Sequence, residues 1–84
     1  MSHKQYYSLK EINVLKQSKG LEENYVMAVL PTNYLVVATL SRNRNQFYLD
    51  VANVIFRHPD SPSRRASAEE LFDEYVDQMK RLTA

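Results

Sequence analysis

The sequence predicts an α+β fold, a single small domain in the order α-β-β-β-α, with an antiparallel sheet packed by two helices. Three observations predict it. Segments near the two ends of the chain carry helix start and stop signals. Two apolar runs separated by Pro-Thr-Asn have the form of a hairpin. A third run, rich in aromatic and β-branched residues, follows a polar turn. The whole chain, residues 1–84, is read as one domain, with residues 1–7 expected to form a flexible N-terminal tail.

The first helix is expected in "SLKEINVLKQSKG", residues 8–20. Ser8 and Glu11 stand at capping-box spacing, and Gly20 sits where a left-handed residue ends a helix. Lys16 and Lys19 fall in the last turn, where the helix dipole favours cations. Leu9, Ile12 and Leu15 supply a narrow apolar stripe.

"NYVMAVL" (24–30) and "YLVVATL" (34–40) then read as two strands joined by a three-residue loop. Both are apolar on both faces, so the pair is expected to be covered on both sides, if necessary by a second copy of the chain. The run "QFYLDVANVIFR" (46–57) is read as a third strand entered through the turn "SRNRN" (41–45). In that reading a bulge is needed near Ala52-Asn53. The alternative is a helix, because Gln46, Asp50, Asn53 and Arg57 recur at helical spacing. "RHPDSPS" (57–63) reads as a loop, since Pro59 and Pro62 oppose regular structure. The last helix is expected to start after Ser67, which has capping-box spacing to Glu70. Leu71, Phe72, Tyr75, Val76, Met79 and Leu82 would form its apolar face.

Composition narrows the function classes. A net charge of +1 is not that of a dedicated nucleic-acid binder. The charge is uneven, however: residues 1–45 carry six Lys/Arg against three acids, and residues 46–84 five against seven. One glycine in 84 residues leaves no glycine-rich phosphate loop. With no cysteine, a thiolate nucleophile and a thiolate-bound metal are both excluded. His3 and His58 have no Asp or Ser partner at a catalytic spacing, so no enzyme, cofactor, metal site or small-molecule substrate is expected. The acids at 69, 70, 73, 74 and 77 read as a solvated face. No secretory signal or membrane-spanning run is visible, and a cytoplasmic protein is the expectation.

Two functions remain. The first is a small, non-enzymatic protein-interaction or regulatory module, expected to form a homodimer. Its support is an abundance of tyrosine, six in all, with Tyr25, Tyr34 and Tyr48 as candidate interface residues. The second is binding of duplex DNA or RNA through a basic first helix and the 41–45 hairpin tip. Lys10, Lys16, Lys19, Arg42 and Arg44 are the candidate contacts, with Lys4 adding to the same positive part. "SRRASAEE" (63–70) contains Arg64 and Arg65 before a helix start, and Arg-Arg-Ala-Ser resembles a basophilic kinase acceptor site. Glu69 and Glu70 oppose phosphate binding there.

The α-β-β-β-α order, with basic residues before the last helix, resembles the double-stranded RNA-binding domain. "SRRASAEE" falls where that family has its lysine-rich helix start, which would imply contacts to duplex RNA. The chain departs from the pattern at the first hairpin, where "PTN" replaces a Gly-Pro-containing loop with histidine.

Overall fold

The computed structural model describes residues 4–83. Its strands are β1 (Tyr6–Ser8), β2 (Asn13–Gln17), β3 (Tyr25–Val29), β4 (Tyr34–Asn43) and β5 (Gln46–Pro59). One helix, α1 (Pro62–Thr83), follows them. All five strands form one antiparallel sheet in the order β1-β5-β4-β3-β2. The α+β class and the antiparallel sheet stand as expected. The two-helix arrangement does not.

The predicted first helix is two strands and a turn. The capping-box contact does form: the Ser8 N–H donates to the Glu11 carboxylate at 2.9 Å, and the Glu11 N–H to the Ser8 carbonyl at 3.1 Å. It closes a single turn and nothing propagates from it. Helix nucleation is costly, and a three-residue apolar stripe offers little to repay it. Ile12 and Val14 are β-branched, and residues 13–17 instead gain a ladder against the fully buried β3. A register shift between Val14 and Lys16 leaves Leu15 extra. Val14 therefore serves one face of the sheet while Leu15 serves the other. Gly20 does adopt the left-handed conformation, at φ 75°, but after a strand.

The expected tail lies partly outside the described residues, which exclude 1–3. Its other end is built into the sheet. Tyr6, Tyr7 and Ser8 pair with Asp50, Leu49 and Tyr48, and Tyr7 is buried.

The β3–β4 hairpin matches its sequence. Asn33 takes φ 68°, the Leu30 N–H donates to the Tyr34 carbonyl at 2.8 Å, and Asn33 N–H to Leu30 carbonyl at 2.8 Å. That is a three-residue loop ending in a left-handed asparagine. Residues 46–57 form a strand, not a helix, and the strand continues to Pro59. Its register against β4 shifts twice, with Leu49 opposite Leu40, Val54 opposite Ala38 and Phe56 opposite Val37. The extra residues include Ala52 and Asn53, where a bulge was required.

The 57–63 loop is replaced by the end of β5 and the start of α1. Pro62 occupies the first helical position, where its missing N–H costs nothing. Ser61, not Ser67, is the cap: its hydroxyl accepts from the Arg64 N–H at 3.2 Å and its carbonyl from the Arg65 N–H at 2.9 Å. Arg65 clamps the same corner by donating from Nε and Nη2 to the two oxygens of Asp60, both at 2.8 Å. This holds the Asp60 carboxyl below its ordinary pKa. A depressed acid contributes stability above its unfolded value of about 3.9 and loses it as pH falls through the folded value. Asp60→Asn is therefore expected to flatten the fall in urea midpoint below about pH 4. Equal slopes in the two proteins would show that the clamp carries no folding energy.

Two apolar layers flank the sheet. On one side α1 packs Ala68, Phe72, Tyr75, Val76 and Met79 against Tyr25, Met27, Leu35, Val37 and Phe56. Leu71 is only half-buried and Leu82 is 78% exposed, so the helix face is narrower than expected. On the other side Val26, Ala28, Val36, Ala38 and Leu49 are fully buried without a helix. Their cover is the chain itself. Residues 9–12 link β1 at one edge to β2 at the other, and Leu9 and Ile12 join that layer as they cross it. Both faces of β3 and β4 are thus filled within one copy, and no second chain is needed to cover them.

Candidate nucleic-acid interface

The candidate site is one end of the sheet, assembled from three connections. β4 runs toward this end and β5 away from it, so the tip between them, Arg44 and Asn45, projects there. The Leu40 N–H donates to the Asn24 carbonyl at 2.8 Å, which brings the 18–24 connection to the same end. β1 enters antiparallel to β5, and Ser8 opposite Tyr48 points residues 9 and 10 toward the tip. Topology therefore gathers Lys10, Lys19, Arg42 and Arg44, which are all exposed. Among the described residues Lys10, Lys19, Arg42 and Arg44 form no ion pair. Lys80 and Arg81, in the last turn of α1, lie toward the same end, where Met79 and Leu82 share a surface depression with Glu22 and Glu23. The acids here are Glu22, Glu23 and Asp50, together with Glu11, which flanks Lys10 and pairs with Lys4.

Lys16 is elsewhere. It faces α1, donating to Asp73 at 2.9 Å, with Glu69 at 3.7 Å and its ammonium 5.4 Å from the centre of the Phe72 ring. The Asp73 hydrogen bond raises its pKa. It is a fold contact, and the expected continuous basic helix does not exist. Lys4 is likewise engaged, with Glu11.

The tip has unusual backbone. Arg44 and Asn45 both have positive φ, 52° and 67°, the pattern of a two-residue hairpin turn that glycine and asparagine fill best. An arginine there costs on the order of 1–2 kcal/mol relative to a right-handed position. Arg42 turns to the Asn45 side chain, donating at 2.7 Å, and stacks 5.7 Å from the Phe47 ring. Among the described residues nothing equivalent holds Arg44. Arg44→Gly is expected to stabilise the fold by roughly 0.5–1 kcal/mol, part of the left-handed cost being offset by the freer unfolded chain. An unchanged or lowered urea midpoint would contradict this.

The tyrosines divide. Tyr25 is 5% exposed, packs against Tyr75 at 5.6 Å, and has its hydroxyl pKa pushed up by burial. It is core, not interface. Tyr34 is half-buried with the Arg57 guanidinium 4.5 Å above its ring. Tyr48 is half-buried as well, but it lines an open surface depression, and it does so with a residue expected in the N-terminal tail. Tyr6 lies 5.8 Å from it, edge to face, and is 54% exposed. The strand alternation puts both rings on the α1 side of the sheet, outside the area that α1 covers. With Asn43 they line an open depression of about 310 Å³. Pairing Tyr6 with β5 was not readable from sequence, because a three-residue strand carries too little pattern.

The remaining candidates are accounted for locally. Arg64, Arg65, Ala66 and Ser67 lie inside α1, and the Ser67 hydroxyl donates to the Ser63 carbonyl at 3.4 Å. An acceptor-site reading of that segment would need the helix to open. The likeness to the double-stranded RNA-binding domain also fails at the topology that carried it, because the first helix is absent and the sheet has five strands. His58 packs on Phe56 at 4.8 Å, and His3 lies outside the described residues. No helix among the described residues is long and apolar enough to cross a membrane. Comparison with known proteins finds no matching family model, curated protein or solved structure.

Proposed function

We propose that this chain is a small, non-enzymatic nucleic-acid-binding module that uses the hairpin end of its sheet. The observation that carries the reading is the gathering of Lys10, Lys19, Arg42 and Arg44 at one end, free of ion pairs among the described residues. Four cations outside any ion pair among the described residues outnumber Glu22, Glu23 and Asp50 at that end, which supports a modest local positive field although the total charge is only +1. The acids of α1 at 69, 70, 73, 74 and 77 are spread along the helix, which gives the molecule polarity. Arg44 supports the same reading, since it occupies a backbone position that stability alone would assign to another residue.

Binding of this kind is dominated by phosphate contacts and weakens with salt. In a fluorescence-anisotropy titration at about 50 mM salt, labelled oligonucleotides are expected to bind. Changing Arg42 and Arg44 together to Ala is expected to weaken the complex and to reduce the salt slope by roughly 1–2 units. Absence of binding, or binding unaffected by that change, would remove the reading.

A second reading, a self-associating protein-interaction module, keeps one specific support. β1 leaves β5 after Gln5 accepts from the Val51 N–H at 2.9 Å. Among the described residues no strand covers β5 beyond that point, and Val51 and Ile55 are exposed there. An open edge with apolar side chains is a place for a second copy to pair. If it does, sedimentation at micromolar concentration gives a dimer and Ile55→Lys restores the monomer. A monomer throughout would end this reading.

A further inference from the structure

We infer that the Tyr6–Tyr48 pair is a stacking platform for unpaired bases, so that the ligand of the hairpin end is single-stranded nucleic acid. This rests on the nucleic-acid reading above and goes beyond it. Phosphate contacts alone do not distinguish single strands from duplexes, whereas stacking requires a base free of its partner.

Tyr6 is exposed and Tyr48 half-buried, and among the described residues neither ring belongs to the layer that α1 packs on. Their edge-to-face geometry leaves a ring face open to a planar ligand. The depression they line with Asn43 is open and shallow, a shape that admits a base edge-on from the surface and gives a rod-like duplex no groove. Asn43 brings an exposed amide that can donate to and accept from a base edge. Arg44 follows Asn43 directly in the turn, so a strand whose base sits on Tyr48 has a cation at the tip beside its phosphates, while Arg42, stacked on Phe47, serves the strand from the other face.

One acid lies close. Asp50 is opposite Tyr6, but its Oδ1 already accepts from the Ala52 N–H at 3.0 Å and the Gln5 amide at 3.3 Å. Its position lies away from the tip, so the phosphate path is expected to run over Arg44 and not past Asp50.

The tests use the full chain with fluorescein-labelled oligonucleotides of about 12 nucleotides, within the span such platforms cover. The probes are a thymine-rich DNA strand, an adenine-rich RNA strand and a DNA duplex of equal length. Both single strands are expected to bind at least about 10-fold more tightly than the duplex, since every base offers a face to stack. Tyr48→Ala is expected to weaken single-strand binding by about 5- to 150-fold, the loss measured for one stacked base, with duplex binding little changed. Tyr48→Phe is expected to retain it. Because the chain has no tryptophan, Tyr48→Trp also provides a single indole whose fluorescence is expected to quench on adding the strand. That variant keeps the ring and the fold if Tyr48→Ala does not fold. Equal affinity for strand and duplex, or binding that ignores the Tyr48 changes while still needing Arg42 and Arg44, would overturn the stacking platform and leave the broader reading in place. No binding of any probe would overturn both.

Discussion

Phe72→Ala is expected to cost about 3–5 kcal/mol, comparable to the whole stability of a domain this size, and to leave much of the chain unfolded without denaturant. Phe72 is 5% exposed and sits where α1 meets β3 and β4, among Met27, Leu35 and Val37. Its ring is also the surface over which Lys16 reaches Asp73, so truncation opens a cavity and loosens the tie between β2 and the helix. Leu82→Ala provides the contrast. On the helical pattern alone the two residues share a face, yet Leu82 is 78% exposed and its loss is expected to change stability by less than about 0.5 kcal/mol. Urea midpoints of the two variants, compared at equal slope, separate a narrow helix contact from a broad one. Similar losses in both would mean that the last turn of α1 is packed after all.

Leu49→Ala is expected to cost about 2–5 kcal/mol on the opposite side of the sheet. Leu49 has no exposed surface, lies opposite Leu40 in the β4 ladder and Tyr7 in the β1 ladder, and belongs to the layer that residues 9–12 cross. All of these neighbours belong to the same copy. The loss is therefore expected to be the same at every protein concentration, whereas a core completed by a second copy would make stability depend on concentration. Such dependence would restore the dimer cover that the doubly apolar strands suggested.

The parts of the fold that were legible are those where local chemistry and tertiary contacts agree. Asn33 in its left-handed turn, the flanking apolar runs and the strand with an extra residue near Ala52-Asn53 all follow from short-range pattern. The amphipathic spacing of Phe72, Tyr75, Val76 and Met79 locates α1, though its start shifts because proline at the first helical position acts as an initiator. Residues 8–20 misled for a physical reason. Their signals describe a turn that really forms at Ser8 and Glu11, while the partner that turns the rest into a strand is β3, a choice made by burial at a distance.

The site was half legible. Lys10, Lys19, Arg42 and Arg44 were named from charge alone, and the chain order of the strands brings them to one end. Lys16 could not be distinguished from them without knowing that Asp73 and Glu69 stand opposite it. Tyr48 was visible as a candidate, but Tyr6, its ring partner, is 42 positions away in a strand of three residues. Tyr25 looked equivalent to Tyr48 because nothing in a tyrosine count distinguishes a ring under a helix from one beside it.

The most direct test of the binding account is an amide chemical-shift map of the full chain titrated with an unlabelled single strand at low salt. The account predicts perturbations concentrated at residues 6–10, 18–24 and 41–50, the segments that meet at the hairpin end, and nearly none at Glu70, Glu74 and Asp77 on the outer side of α1. The changes are expected to fade as salt is raised. Perturbations centred on α1 or on residues 52–59 of β5, with the hairpin end silent, would contradict it.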